Sequence, residues 1–289
     1  MDKKKTILLF VRIVLLIIII ICLIRMGQTY YLSIRHQQQQ KTLSQSVKTT
    51  QNQPLLEQTQ TENQNMIPTA ENYFTESASA SDLHTENNLD KTAVQKPEIL
   101  EQYQTLYNEN QDLIGWLSIP DTNIDYPVMQ CNDNEYYLHH NFYREEDKYG
   151  CLYVKDIADV NTPATNFIIY GHNMKDGSMF GNLDQYQEQT FYQEHPFIQF
   201  HTLYEERTYQ VLAVFYSQVY QKDENVFKYY QFYQANTEAE FWDFYENIMT
   251  SSLITSDVTA TFGDTFLTLS TCAYHAEDGR FVVVAKRIN

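Results

Sequence analysis

The sequence predicts a mainly β domain, a barrel or a sandwich, held behind an N-terminal membrane helix and a long polar tract. Three observations lead there. Short β-like runs separated by polar turns fall at residues 115–119, 151–154, 167–170, 197–202, 208–217, 265–269 and 280–286, the pattern of a sheet built from many short strands. Between residues 223 and 253 the period changes: Phe241, Phe244, Tyr245 and Ile248 stand at i, i+3, i+4 and i+7, an amphipathic helix inserted between two strands. Residues 7–24 form an 18-residue apolar run interrupted only by Arg12, near the lower limit for crossing a hydrocarbon core of about 30 Å.

Lys3, Lys4 and Lys5 precede the apolar run, no small-residue cleavage site follows it, and Arg25 and Met26 come next. The run therefore reads as a retained single-pass anchor and not as a cleaved signal. The lysines keep residues 1–6 in the cytoplasm by the positive-inside rule, which sends the rest of the chain outside. Arg12 lies about one turn inside and is placed to snorkel towards the cytoplasmic headgroups. From residue 37 to residue 96 the composition is dominated by Gln, Thr, Ser, Asn and Glu, with Gln37, Gln38, Gln39 and Gln40 in a row. Such a tract has too little apolar surface to offset the entropy of ordering. Residues 25–96 are expected to be a flexible extracellular stalk, with a root-mean-square span of about 45–50 Å for a coil of this length. Residues 97–289 then make one domain of ordinary size. It opens on a helix-like stretch from Pro97 in which Ile99, Tyr103, Leu106 and Tyr107 recur at helical spacing.

Charge excludes some functions. The 289 residues carry a net charge of −17. Residues 1–26 hold five basic groups and one acid, so the remainder has 15 basic against 36 acidic residues, a net charge of about −21. That exterior will not hold nucleic acid through its phosphates. The acidic cluster Glu145, Glu146 and Asp147 lacks the spacing of a calcium loop. His139 and His140 are adjacent, and His195 and His201 are six apart, whereas ligands on one helix face stand three or four apart. No metal or cofactor is expected. Cys22 belongs to the apolar run, which leaves Cys131, Cys151 and Cys272 outside, an odd number. Cys131 and Cys151 are either bridged or two separate thiols. In both cases Cys272 stays free.

Cys272 ends the run Thr265-Phe-Leu-Thr-Leu-Ser270-Thr271-Cys272, and after a polar stretch Asp278-Gly279-Arg280 opens a valine-rich strand that returns beside it. A cysteine attacks as the thiolate, and nearby positive charge lowers a free thiol's pKa from about 8.5. One hundred residues upstream, Phe167-Ile-Ile-Tyr170-Gly171-His172-Asn173-Met174 ends an apolar run in a glycine turn that presents a histidine. Cys, His and Arg are the parts of an acyl-transfer site. His275 competes with His172 but lies only three residues from Cys272, and catalytic partners are commonly distant in sequence. Arg287 competes with Arg280 but would lie at the far end of the returning strand, about 23 Å away.

Together, Tyr-Gly-His-Asn-Met, Thr-Leu-Ser-Thr-Cys, Gly-Arg before a valine-rich strand, and Ile114-Gly-Trp-Leu-Ser-Ile-Pro120-Asp-Thr-Asn-Ile-Asp-Tyr-Pro127-Val closely resemble the sortase family, cysteine transpeptidases of Gram-positive cell surfaces. The resemblance runs from about residue 111 to 288. It implies an eight-stranded sortase-type β-barrel with N-terminal helix or helices, and the helix before the cysteine-bearing strand makes it most similar to class B. It further implies that Cys272 attacks a Thr-Gly-like or Thr-Asn-like bond, that Arg280 steadies the oxyanion and that His172 protonates the leaving amine. Ser270, Thr271 and the backbone N–H of Ala273 are the candidate substrate-binding groups. Implied partners are secreted proteins with a C-terminal sorting pentapeptide followed by an apolar span and a basic tail, and an acceptor amine of a peptidoglycan cross-bridge or a pilin lysine. Two alternatives stand beside this reading. A stalked surface adhesin would need no reactive thiol, and a papain-like hydrolase would place Cys before His, the reverse of the order here.

Overall fold

The computed structural model describes residues 3–51, 97–162 and 164–289. Eight strands form its centre: β1 (Leu113–Ser118), β2 (Asp125–Met129), β3 (Leu152–Tyr153), β4 (Asn166–Tyr170), β5 (Phe197–Thr202), β6 (Thr208–Gln218), β7 (Phe266–Cys272) and β8 (Gly279–Arg287). They close into a barrel in the order β1-β2-β3-β4-β7-β8-β6-β5. Most neighbours are antiparallel, but β2 runs parallel to β3 and β4 parallel to β7. Among the described residues five α-helices decorate it: α1 (Lys3–Gln51), α2 (Glu101–Glu109), α3 (Tyr136–His139), α4 (Gln189–Glu194) and α5 (Glu238–Ser251).

The two-residue period of a strand sorts its side chains between two cores. Phe167 and Ile169 of β4, Leu267 and Leu269 of β7, and Phe281, Val283 and Ala285 of β8 point into the barrel with Leu117, Val128 and Phe200. The alternate residues Phe266, Val282 and Val284 face outwards, where Phe241, Phe244 and Ile248 of α5 cover them. These are the apolar positions that the helical spacing picked out. Thr237 caps α5 by accepting from the Glu240 N–H at 3.2 Å, and Glu240 reaches back to the Asn236 N–H at 2.7 Å, the two halves of a capping arrangement.

Among the differences from the sequence expectations, three bear on the packing around the site. β2 was hidden by Pro127, which lacks an N–H and so argues against a strand interior, yet it stands opposite Trp116 in a fully buried stretch. β7 runs three residues past the expected end at 269 and carries Cys272 within the strand. Residues 97–100 are extended and tied by the Leu100 N–H to the Leu203 carbonyl at 2.8 Å, so α2 starts at Glu101.

The largest correction concerns residues 25–51, expected to be coil. They continue the apolar run as one 49-residue helix, α1. His36, Gln40, Leu43 and Val47 recur at helical spacing and are all buried, the last two in one cluster with Tyr103, Leu106, Trp116 and Tyr137. Asp125 fastens the same helix: it accepts from Ser44 at 2.6 Å, Lys48 at 2.7 Å and Trp116 Nε1 at 2.6 Å. Burial alone would raise the pKa of that carboxyl, but these bonds outweigh it and hold it below the usual carboxylate range. Gln is a good helix former, and the buried stripe supplies the packing that an isolated helix lacks. Residues 52–96 lie outside the described residues.

Candidate active site

Register alone brings the three catalytic candidates together. β4 and β7 run parallel with Tyr170 opposite Ser270, and His172 and Cys272 each stand two residues further on. β7 and β8 run antiparallel with Cys272 directly opposite Arg280. Three adjacent strands therefore deliver His, Cys and Arg to one end of the barrel, at spacings of about 4.8 Å between neighbouring strands. Alternation adds the direction. Cys272 continues the outward series of Phe266 and Ser270, and Arg280 that of Val282 and Val284, so both open on the outer face. That face holds a cleft of about 400 Å³, lined among others by Tyr153, Lys155, Tyr170, Tyr229 and the three candidates.

Local packing explains the turns. A Cβ on Gly171 would stand 2.5 Å from Leu152 Cδ2 and 2.7 Å from Phe180 Cδ2, so only glycine lets the chain turn from β4 into His172. A Cβ on Gly279 would run into the Ala273 carbonyl, which closes the β7–β8 connection. His172 Nε2 lies 2.8 Å from the Leu138 carbonyl. A carbonyl only accepts, so this nitrogen carries the hydrogen and Nδ1 is left for other chemistry. Asn173 donates its amide to the Cys272 carbonyl at 2.8 Å, pinning the histidine loop to the cysteine strand. Arg280 folds Nη1 onto the carbonyls of Asp278 and Gly279 at 3.1 and 2.9 Å. Its Nε and Nη2 have no protein acceptor among the described residues. Cys272 is exposed, as is Cys22, whereas Cys151 is buried and Cys131 half-buried. All four are free thiols, so the bridged alternative for Cys131 and Cys151 is not realised. Burial pushes the Cys151 and Cys131 thiols up.

The cleft is locally cationic in an acidic protein, because its lining includes Lys155 and Arg280 but no carboxylate. Burial and then Arg280 push the Lys155 ammonium down. Burial also raises Tyr153 and Tyr229 to about 12, against the pull of Arg280. Both phenols therefore stay protonated, as hydrogen-bond donors, at neutral pH.

The expected substrate-binding groups are placed differently. Ser270 Oγ is buried and shares a 2.7 Å hydrogen bond with Tyr229. Thr271 Oγ1 is buried and donates to the Gly171 carbonyl at 2.7 Å. The Ala273 N–H donates to the Gly279 carbonyl at 2.9 Å, so the hairpin uses it and no oxyanion can. All three hold the site's frame. The rivals also separate. His275 is exposed, with its ring 4.6 Å from that of Tyr216. Arg287 stands at the opposite end of β8, 3.3 Å from Glu205. Sequence reasoning missed Asn173, Tyr229 and Lys155. Asn173 lies inside the histidine motif, but nothing in the motif gives it a role. Tyr229 and Lys155 reach the cleft from connections whose path no periodicity announces.

A mainly β barrel with Cys, His and Arg on adjacent strand ends is the architecture of a cysteine acyltransferase, and known proteins narrow that class. The sortase domain family matches residues 117–288. Sortase B of Listeria monocytogenes serovar 1/2a is 35% identical over 198 residues, 66% of this chain and 76% of that protein. A Staphylococcus aureus sortase B–substrate complex superposes with a TM-score of 0.60 at 31% identity, covering 66% of this chain and 87% of that one. Sortase B complexed with triglycine gives a TM-score of 0.59 at 32% identity, covering 65% and 86%. This chain belongs to the sortase family, within it to class B, and is thereby a cysteine transpeptidase.

Proposed function

We propose that the enzyme cleaves a C-terminal sorting signal of secreted proteins and passes the acyl half to a surface amine, with Cys272 as nucleophile, His172 as acid and base, and Arg280 as oxyanion donor. What carries this reading is the pairing of Cys272 with Arg280 together with the parallel register that sets His172 abreast of them. In the first step the Cys272 thiolate forms a C–S bond to the scissile carbonyl. Negative charge develops on the carbonyl oxygen, and the two open donors of Arg280 face it. The C–N bond breaks as the protonated imidazole gives its Nδ1 proton to the departing amine. A thioester remains. In the second step neutral Nδ1 takes a proton from the incoming amine, which attacks the thioester and returns the thiolate.

A sortase B has been captured with a substrate and another with triglycine, which supports a peptide acyl donor and an amine acceptor here. The donor bond is read as Thr-Gly-like or Thr-Asn-like, and the acceptor as a peptidoglycan cross-bridge amine or a pilin lysine. The apolar stretch of α1, none of it buried against the domain, supports a membrane anchor, with residues 1–6 inside and the barrel outside. The test is a transfer assay. The full-length enzyme in detergent, given a peptide containing such a bond and triglycine, should form the acyl–glycine product. Peptide left intact, or hydrolysed with no amide product at saturating triglycine, would contradict the proposal.

A further inference from the structure

The helix that carries the proposed membrane anchor is also the helix that touches the histidine loop. Nine residues after Ile24, Ser33 of α1 donates to Asp176 at 3.0 Å. Asp176 lies four residues past His172, and Tyr149 and Ser178 also donate to it, at 2.8 and 2.6 Å. Two residues on, Arg35 pairs with Glu145 at 2.7 Å, and after it the buried His36 ring stacks on Tyr149 with centroids 4.2 Å apart. Leu43 and Val47 then enter the core. No hinge interrupts α1 between the apolar run and this contact, since the helix is continuous from Lys3 to Gln51.

A groove of about 750 Å³ lies between α1 and the site, lined by Arg25, Tyr30, Lys148, Met174 and Tyr274 among others. Its upper end adjoins the catalytic mouth. Asn173 and Met174 follow His172 directly, and Tyr274 lies two residues past Cys272. Its lower end reaches Arg25 and Met26, where the apolar run stops. In the mechanism above the leaving amine must meet His172, so the leaving half of the donor emerges on this side of the cysteine.

We infer that α1 fixes the catalytic mouth at a set height above the bilayer, and that the groove takes the donor segment between its scissile bond and its own membrane span. The inference rests on the transpeptidase roles proposed above. At 1.5 Å per residue, Ser33 stands about 13 Å beyond Ile24 along the helix. An extended peptide covers at most about 3.3–3.6 Å per residue, so a membrane-borne donor needs about four residues outside its span to reach the mouth. Shorter spacers leave the bond below the site, and a rigid α1 gives the barrel no way down.

The experiment uses the full chain in phosphatidylglycerol–phosphatidylcholine vesicles, with triglycine as acceptor. The donors are sorting peptides joined to a polyleucine span through spacers of about one, four, eight and sixteen residues. Turnover should fall at least tenfold between the four-residue and the one-residue spacer. A Gly/Ser insertion of about twelve residues between Ile24 and Arg25, upstream of every docked and groove-lining residue, gives the barrel a flexible tether and should remove that threshold. Both proteins should process an untethered peptide equally. A flat spacer profile in the parent enzyme, or the same threshold in the insertion variant, overturns the height inference while the untethered peptide still reports an active enzyme. Failure on the untethered peptide as well overturns the transpeptidase roles on which the inference rests.

Discussion

Strand β8 carries an arginine at each end, and the two are treated in opposite ways. Arg287 meets Glu205 at 3.3 Å, and Glu205 is shared with Arg207. Beside it Lys286 pairs with Asp264 at 2.9 Å. At the other end, among the described residues, Arg280 has no carboxylate partner, bonds only to two backbone carbonyls of its own turn, and shares its cleft with Lys155. The chain carries 37 acids and 20 basic groups, yet the lining of this cleft holds two cations and no carboxylate. The paired end ties β8 to its neighbours, and the open end leaves donors for the oxyanion role proposed for Arg280.

The comparison is sharpened by substitutions, the most damaging first. Cys272→Ala should abolish cleavage and transfer while leaving the melting curve in place, because Cys272 is exposed and its removal opens no cavity. Retained turnover in the folded variant would contradict the nucleophile. His172→Gln should cost at least as much as the loss of Arg280, since no other group gives a proton to the leaving amine, whereas His275→Gln should be silent. The reverse result would return Tyr-Gly-His to a structural turn. Arg280→Lys keeps the charge but loses the planar fork, and should lower kcat/KM about 10²-fold, the scale of one oxyanion donor. Arg287→Gln should leave turnover unchanged and cost at most about 1 kcal/mol in denaturant titrations, as expected for a partly exposed ion pair. Equal catalytic losses at the two arginines would break the comparison outright.

The smallest effect concerns the α1 contact. Burial raises the pKa of Asp176, but the bonds from Ser178, Tyr149 and Ser33 outweigh it and bring the carboxyl down to about 2. A depressed carboxyl contributes stability that is fully present above its unfolded pKa, near 3.8, and is lost as pH falls through the folded value. Amide protection factors around Ser33 and Tyr149, taken against the intrinsic exchange rate at each pH, should therefore fall from about pH 4 towards 2. Asp176→Asn should flatten that dependence. An unchanged profile would show that Asp176 does not hold the contact.

The catalytic frame was legible because strand alternation is a local property. The runs ending at Tyr170 and Cys272, and the one opening at Arg280, carry their own period, and the order of the motifs did the rest. What was illegible depends on partners. The stripe of His36, Gln40, Leu43 and Val47 was present in the sequence, but the glutamine-rich average around it read as coil, and only contact with Tyr103 and Trp116 makes it a packed face. Pro127 masked β2 for a similar reason, since its missing donor matters only if the register asks for one. Ser270, Thr271 and Ala273 were correctly placed beside the site, yet sequence cannot tell which acceptor a hydroxyl or an N–H will find.

The central claim is that Cys272 carries the acyl group, and mass spectrometry of the acid-quenched enzyme, after tryptic digestion at low enough pH to keep the thioester, tests it most directly. On mixing with the sorting peptide and no acceptor, the wild-type enzyme should gain the mass of the acyl half at the tryptic fragment holding Cys272. Triglycine should discharge it into the amide product, and Arg280→Lys should slow its appearance. An adduct on Cys131 instead, or transfer to triglycine by Cys272→Ala, would contradict the account.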